Sequence, residues 1–484
     1  MYIPIQKFII LKGCYIINQQ DKKYKEGKNM KILIVNGSPK GKYSITLQTC
    51  RYLELLHPEH EFKVLNAGQQ IKKLQRDFSS AEEMLREAEL IIFSYPIYTF
   101  IAPSQLHYFI NLMKKCDIDW SEKYATQITT SKHFYDITAH KYVEDNCYDM
   151  GLRVIKGLSA DMDDLTTEKG QHEAEEFFRL VAWSCENAFY EKAVPAAKPK
   201  KAVKVSPAPS IVAKGSGEVV IVTDCEKDNT QLKNMIERFR AVLPVQSKIV
   251  NIGEYPIKGG CLGCFNCAVS GKCVYKDGFD DMLRNEIQSG SAIVYAFTIK
   301  DHSMGPRFKM YDDRQFCNGH RTVTMGMPVG YIVSGEYSKE ANLQMIIEGR
   351  SEVGGNFLCG VATDEINPDG EIDRLAKTLA YAIQHKYTRP ANFYGVGGMK
   401  IFRDLIYIMQ GLMKADHKFY KAHGQYDFPQ KQRPRMLAMY LVGGLMLLPK
   451  SKMPANAMNE GMLMPYKAAI TKAQKIAESR KKDK

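Results

Sequence analysis

The sequence predicts an α/β protein built from two tandem doubly wound parallel sheets, followed by a mainly helical C-terminal region. Three observations predict it. From Met30 onward, short apolar runs alternate with helical patterns. A Pro- and Lys-rich stretch at 191–217 interrupts that rhythm, and the same order of elements then restarts. Strands spaced by helices imply a parallel sheet covered on both faces. A chain of 484 residues also exceeds what one core accommodates.

Residues 1–29 show neither periodicity nor caps and read as an extension ahead of the first strand. The first domain, 30–190, has strands at 31–36, 61–65, 90–95, 124–130 and 152–158 and helices at 44–56, 80–88, 104–115 and 167–190. Four prolines and several lysines make 191–217 a linker with too little apolar surface for a core. The second domain, 218–386, has strands at 218–223, 247–252, 291–298, 329–334 and 357–363. Its helices lie at 230–242, at 280–288 with Asp280 as cap, and at 372–385. Residues 387–484 form the helical remainder, with apolar runs at 401–413 and 436–448.

The composition is that of a soluble globular chain: 45% apolar, 25% charged, 67 basic against 54 acidic residues, net +13. Twelve cysteines fall far below the density of a disulfide scaffold. The run at 436–448 is shorter than the roughly 20 residues of a membrane span, and the N-terminus lacks a signal-peptide cleavage pattern. A cytoplasmic location follows as an expectation. The basic excess lies in the linker and tail, without an aromatic reading face, so no nucleic-acid partner is expected. The 436–448 run reads as a helical cap on the second domain or on a partner subunit rather than a membrane contact. A homo-oligomer stays open.

The first strand runs into Gly37-Ser38-Pro39-Lys40-Gly41-Lys42-Tyr43-Ser44-Ile45-Thr46, where a helix begins. Strand ends that feed helix N-termini are where such sheets bind anions. Ser38, Ser44 and Thr46 offer hydroxyls and Lys40 a charge. The loop fits neither the Walker nor the dinucleotide pattern, which leaves a phosphomonoester such as that of FMN. Pro96, Ile97 and Tyr98 follow the third strand, where a planar ring could lie. On the Gly37-Ser38-Pro39-Lys40 loop, Ser44, Thr46 and Pro96-x-Tyr98, the first domain resembles the flavodoxin-like NAD(P)H-dependent FMN reductases. The resemblance implies that these loops hold FMN, with Thr130 and Ser131 in a third loop. Ile45 departs from the Asn common in that family.

In the second domain, Cys261, Cys264, Cys267 and Cys273 are spaced C-x2-C-x2-C-x5-C. Four thiols in so short a loop suit a soft metal centre, an iron–sulfur cluster or zinc, or stand empty. The run differs from the bacterial ferredoxin motif. It is similar to the compact motif of iron–sulfur flavoproteins, which implies that the four cysteines ligate a [4Fe-4S] cluster. The acids Asp224, Glu226 and Asp228 at the second domain's own first loop argue against a flavin there.

The resemblance thus implies a tandem-fused FMN oxidoreductase that passes electrons between FMN and a [4Fe-4S] cluster. NAD(P)H or a ferredoxin-type carrier would be its redox partner. The alternatives are an NAD(P)H-dependent FMN, quinone or nitro reductase without a cluster, and a non-catalytic zinc-stapled protein. No protein acid or base is singled out, because flavin would carry the chemistry.

Overall fold

The computed structural model describes residues 29–191, 201–208, 210, 212–447 and 457–482. Residues 1–28 of the expected extension and residues 192–200, 209 and 211 of the expected linker lie outside the described residues. The chain divides into two compact units, Met1–Tyr420 and Lys421–Lys484.

The first unit holds two parallel sheets. In one, β1 (Lys31–Asn36), β2 (Glu61–Leu65), β3 (Leu90–Pro96), β4 (Tyr124–Ser131) and β5 (Arg153–Val154) lie in the order β2-β1-β3-β4-β5, and β6 (Leu158–Asp161) also pairs with β4. In the other, β7 (Gly215–Thr223), β8 (Val245–Asn251), β9 (Ala292–Thr298), β10 (Pro328–Ser334) and β11 (Phe357–Thr363) run β11-β10-β9-β7-β8. Both are the flavodoxin-like 2-1-3-4-5 order.

Alternation along the strands sorts the core into three layers. Ile32 and Ile34 face a core on one side of the first sheet; Val219 and Ile221 do the same for the second. Leu33, Val35 and Phe93 face instead a central core, which they share with Val220, Val222, Phe297 and Val333 of the second sheet. Helix Ser104–Met113 packs on Gly305–Arg314, and Asp136–Met150 on Ala341–Val353. Each pair follows the corresponding strands of the two sheets, so like packs against like, as in a pseudo-two-fold dimer.

Several elements differ from expectation. The fifth strand is split: β5 and β6 are separated where Gly157 lies against Gln127, whose Cγ would be 2.3 Å from an added Cβ. The helix expected at 167–190 ends at Glu186, and Ala188 turns the chain with φ 52°. Asp280 does not cap its helix. Gly278, at φ 74°, precedes the helix, and the Asp280 carboxylate accepts the Cys273 N–H at 2.8 Å. The helix expected over 401–413 is Phe393–Ile408, capped by Asn392. Residues 201–208 have no regular structure but are tied to the second sheet's layer, where Val203 N–H donates to Asp364 O (2.8 Å) and Ser206 N–H to the Asp369 carboxylate (3.0 Å).

The second unit contains helices Arg433–Met446 and Ala457–Lys482. Leu437, Tyr440, Leu441 and Leu445 on the former are exposed. Among the described residues no helix is long and apolar enough to cross a membrane.

Candidate active site

The loop after β1 is fixed from below. Gly37 N–H donates to Ser94 O at 2.8 Å. The Asn36 side chain accepts Ser38 N–H (3.2 Å) and donates to Gly41 O and Asn66 Oδ1 (both 2.9 Å). Helix Ala67–Leu74 presses close: a Cβ on Gly68 would sit 2.2 Å from Gly37 O. Ser44 caps helix Ile45–Leu56 by accepting Leu47 N–H (3.4 Å). The other N–H groups of that first turn lack intrahelical partners and carry the positive end of the dipole. Ser38, Ser44 and Thr46 are buried around this point. Thr46 Oγ1 lies 2.6 Å from Thr130 Oγ1, which links the first loop to the end of β4.

The loop after β3 is held from the other half of the chain. Thr99 and Phe100 have φ of 43° and 75°, a left-handed pair uncommon outside glycine. Tyr98 and Ile101 bridge this kink with two backbone hydrogen bonds. From helix Gly305–Arg314, fully buried Lys309 donates to Tyr98 O (2.9 Å) and pairs with fully buried Asp313. Asp313 also accepts Thr99 Oγ1 (3.0 Å) and Ser104 N–H (2.7 Å). Burial pushes the Asp313 carboxyl upward, and Lys309 opposes that rise.

The cysteine loop, between β8 and β9, docks onto this kink. Gln105 Nε2 donates to Cys261 O at 3.2 Å, and Lys40 lies over the Phe265 ring at 5.5 Å. Gly263 has φ 62°, and a Cβ there would meet the Tyr98 hydroxyl at 2.0 Å. Only a glycine fits that approach. Tyr98 itself is buried, which drives its phenol well above the usual range.

One cavity of about 390 Å³ results. Its walls include Ser38, Lys40, Ser44, Thr46, Pro96, Ile97, Tyr98, Thr130 and Ser131 from the first sheet. Cys261, Cys264, Cys267 and Cys273 line it from the second. Every site residue expected from sequence therefore faces the same space. Burial raises the Cys261 thiol strongly, and burial, Asp416 and neighbouring thiols push Cys267 up to about 11. No three His, Cys, Asp or Glu side chains among the described residues converge tightly enough to hold a metal ion. The donor set nonetheless suits a soft metal, because it is all sulfur. The cradle suits a phosphate equally well, with buried hydroxyls, open N–H groups at a helix start and Lys40 at its edge.

The sequence reading missed the rest of the wall. Phe134, Phe316, His320, Arg321, Phe402, Leu405 and Met409 are among its further lining residues. The Phe402 ring lies tilted beside Phe134 (4.3 Å between centroids) and edge-on to His320 (4.9 Å). Cys317 is buried beside Cys267 and Cys273, and burial pushes it up to about 12. At the corresponding loop of the second sheet, burial raises Asp224 to about 6, and Glu226 pairs with Lys300 at 3.3 Å.

The fold and cleft define a flavodoxin-like α/β protein. Residues 30–113 match the model of the flavodoxin-like fold family. The chain is 27% identical over 173 residues to an iron-sulfur flavoprotein of Archaeoglobus fulgidus, covering 34% of this chain and 78% of that one. Among solved structures it is similar to an FMN-dependent NADH-azoreductase of Bacillus anthracis (14% identical, 32% of this chain and 99% of that chain, TM-score 0.27). It is also similar to an NAD(P)H:quinone oxidoreductase of Methanothermobacter marburgensis (12% identical, 33% and 96% covered, TM-score 0.25).

Proposed function

We propose that the protein is an FMN-dependent oxidoreductase in which the first sheet seats the flavin and the cysteine loop of the second carries a [4Fe-4S] cluster. The observation that carries this reading is the shared cavity, where the phosphate cradle and four thiols meet. The similarity to an iron-sulfur flavoprotein supports it. Ser38, Lys40, Ser44 and Thr46 bind the phosphate, and Pro96, Ile97 and Tyr98 flank the ring, with Thr130 and Ser131 beside it. Cys261, Cys264, Cys267 and Cys273 are the cluster ligands. FMN exchanges electron pairs or single electrons, whereas a cluster exchanges one at a time, so together they connect a pair donor such as NAD(P)H to a one-electron carrier. The protein's part is to bind, orient and shield: Lys309 and Asp313 fix the kink at 98–100, and the Phe134 and Phe402 rings close the apolar side.

Anaerobically purified protein tests the proposal. The expected result is a flavin spectrum with a broad iron–sulfur shoulder, and iron and acid-labile sulfide near four each per chain. Cys264→Ser should lower iron and sulfide while FMN stays. Flavin without iron identifies the plain reductase. A colourless protein holding zinc overturns both flavin readings.

A further inference from the structure

His320 lies in the cavity wall, and the structure around it is built to hold its ring. Nδ1 is 3.0 Å from Oδ2 of Asp416, and the same oxygen accepts the His320 backbone N–H at 3.1 Å. Asp416 is fully buried, in helix Lys414–Ala422 from the region after the second sheet. Arg321 Nε stands 3.8 Å from its other oxygen. Tyr420 hydroxyl donates to His320 O at 3.2 Å. Gly319, at φ 63°, gives Asp416 room: an added Cβ would lie 2.2 Å from Oδ1. A carboxylate on Nδ1 places the proton there and leaves Nε2 as the working nitrogen. The rings of Phe316 and Phe402, 5.9 and 4.9 Å away, flank the imidazole. Of the other cations of the wall, Arg314 is paired to Asp277 (2.8 Å), Lys132 to Asp161 (2.7 Å) and Arg350 to Asp312, while Lys40 stands over the Phe265 ring at the phosphate cradle.

We propose that His320 is the proton donor of this cavity and Asp416 its positioning residue. The inference rests on the flavin reading above. A nicotinamide donor delivers two electrons and one proton as hydride. An organic acceptor that leaves as a dihydro product gains two electrons and two protons, so one further proton is needed. Imidazolium Nε2–H supplies it, the N–H bond breaks as the acceptor's O–H or N–H bond forms, and solvent reprotonates the ring. This assigns a task to the chain beyond the second sheet, which supplies Asp416 and the Phe402 side of the cavity.

The test compares acceptors in the FMN-loaded holoprotein. Benzoquinone takes up protons and ferricyanide does not. His320→Ala should lower the benzoquinone rate by roughly a hundredfold, the usual share of a general acid, and leave the ferricyanide rate and the FMN dissociation constant unchanged. Added imidazole should restore the benzoquinone rate. Asp416→Asn should lower it less, with the imidazole NMR signals shifted to the other tautomer. Equal loss with both acceptors, or no rescue by imidazole in a variant that still binds FMN, overturns the role of His320. Failure of the unsubstituted protein to bind FMN overturns the flavin reading instead.

Discussion

Lys309→Met isolates the contact that joins the two halves at the candidate flavin loop. Lys309 and Asp313 are both fully buried, and the lysine also donates to Tyr98 O and lies 3.3 Å from Asp312. Removing one partner of such a pair leaves an uncompensated charge, a cost of about 3–5 kcal/mol. That is a large share of a typical stability of about 5–15 kcal/mol. Removing both charges, as in Lys309→Met with Asp313→Leu, spares the charge but strands the Ser104 N–H and the Thr99 hydroxyl. An orphaned buried donor costs about 1–3 kcal/mol. The double variant should therefore lose less than the two single losses combined. Urea unfolding monitored by tyrosine fluorescence and circular dichroism gives the three values. A Lys309→Met loss below about 1 kcal/mol, or strict additivity, would refute the idea that this pair is mutually dependent.

Two further outcomes follow from the same geometry. Gly263→Ala combines the left-handed cost of about 1–2 kcal/mol with a collision against Tyr98, whereas Gly271→Ala, at φ 77°, meets only Arg321 Nη1 at 3.3 Å. Thermal denaturation should show the larger drop for Gly263→Ala, and FMN and iron content should fall in that variant alone. His302 bridges Asp149 (3.0 Å) and Glu340 (3.1 Å), and although burial opposes it, these carboxylates lift its imidazole from 6.5 to about 10. Its contribution is full below pH 6.5 and lost as pH rises through about 10. The melting-temperature deficit of His302→Gln should be greatest near pH 6 and shrink steadily toward pH 10; a deficit that grows with pH would contradict the assignment.

What the sequence made legible was local. The phosphate loop could be read because the strand, the glycine, the hydroxyls and the helix start are consecutive. The cysteines could be read because their spacing is itself a local pattern. The split of the fifth strand was hidden, because it depends on how Gly157 meets a neighbouring strand rather than on its own segment. Asp280 looked like a cap because its residue type suits one, but Gly278 took the turn and freed the carboxylate for Cys273 N–H. The Lys309 contact with Tyr98 joins residues 211 positions apart, and His320 meets Asp416 across 96. No periodicity records such pairs.

The like-against-like packing of the two sheets has a consequence for assembly. Were the cleft shared by separate chains, its completeness would depend on their concentration. Here the covalent connection makes meeting an intramolecular event, and dilution cannot take the walls apart. The same tether removes the need for symmetry: only one of two equivalent clefts has to be kept. The acids at Asp224, Glu226 and Asp228 stand where the twin cradle would be, freed from the constraint that still shapes residues 37–46.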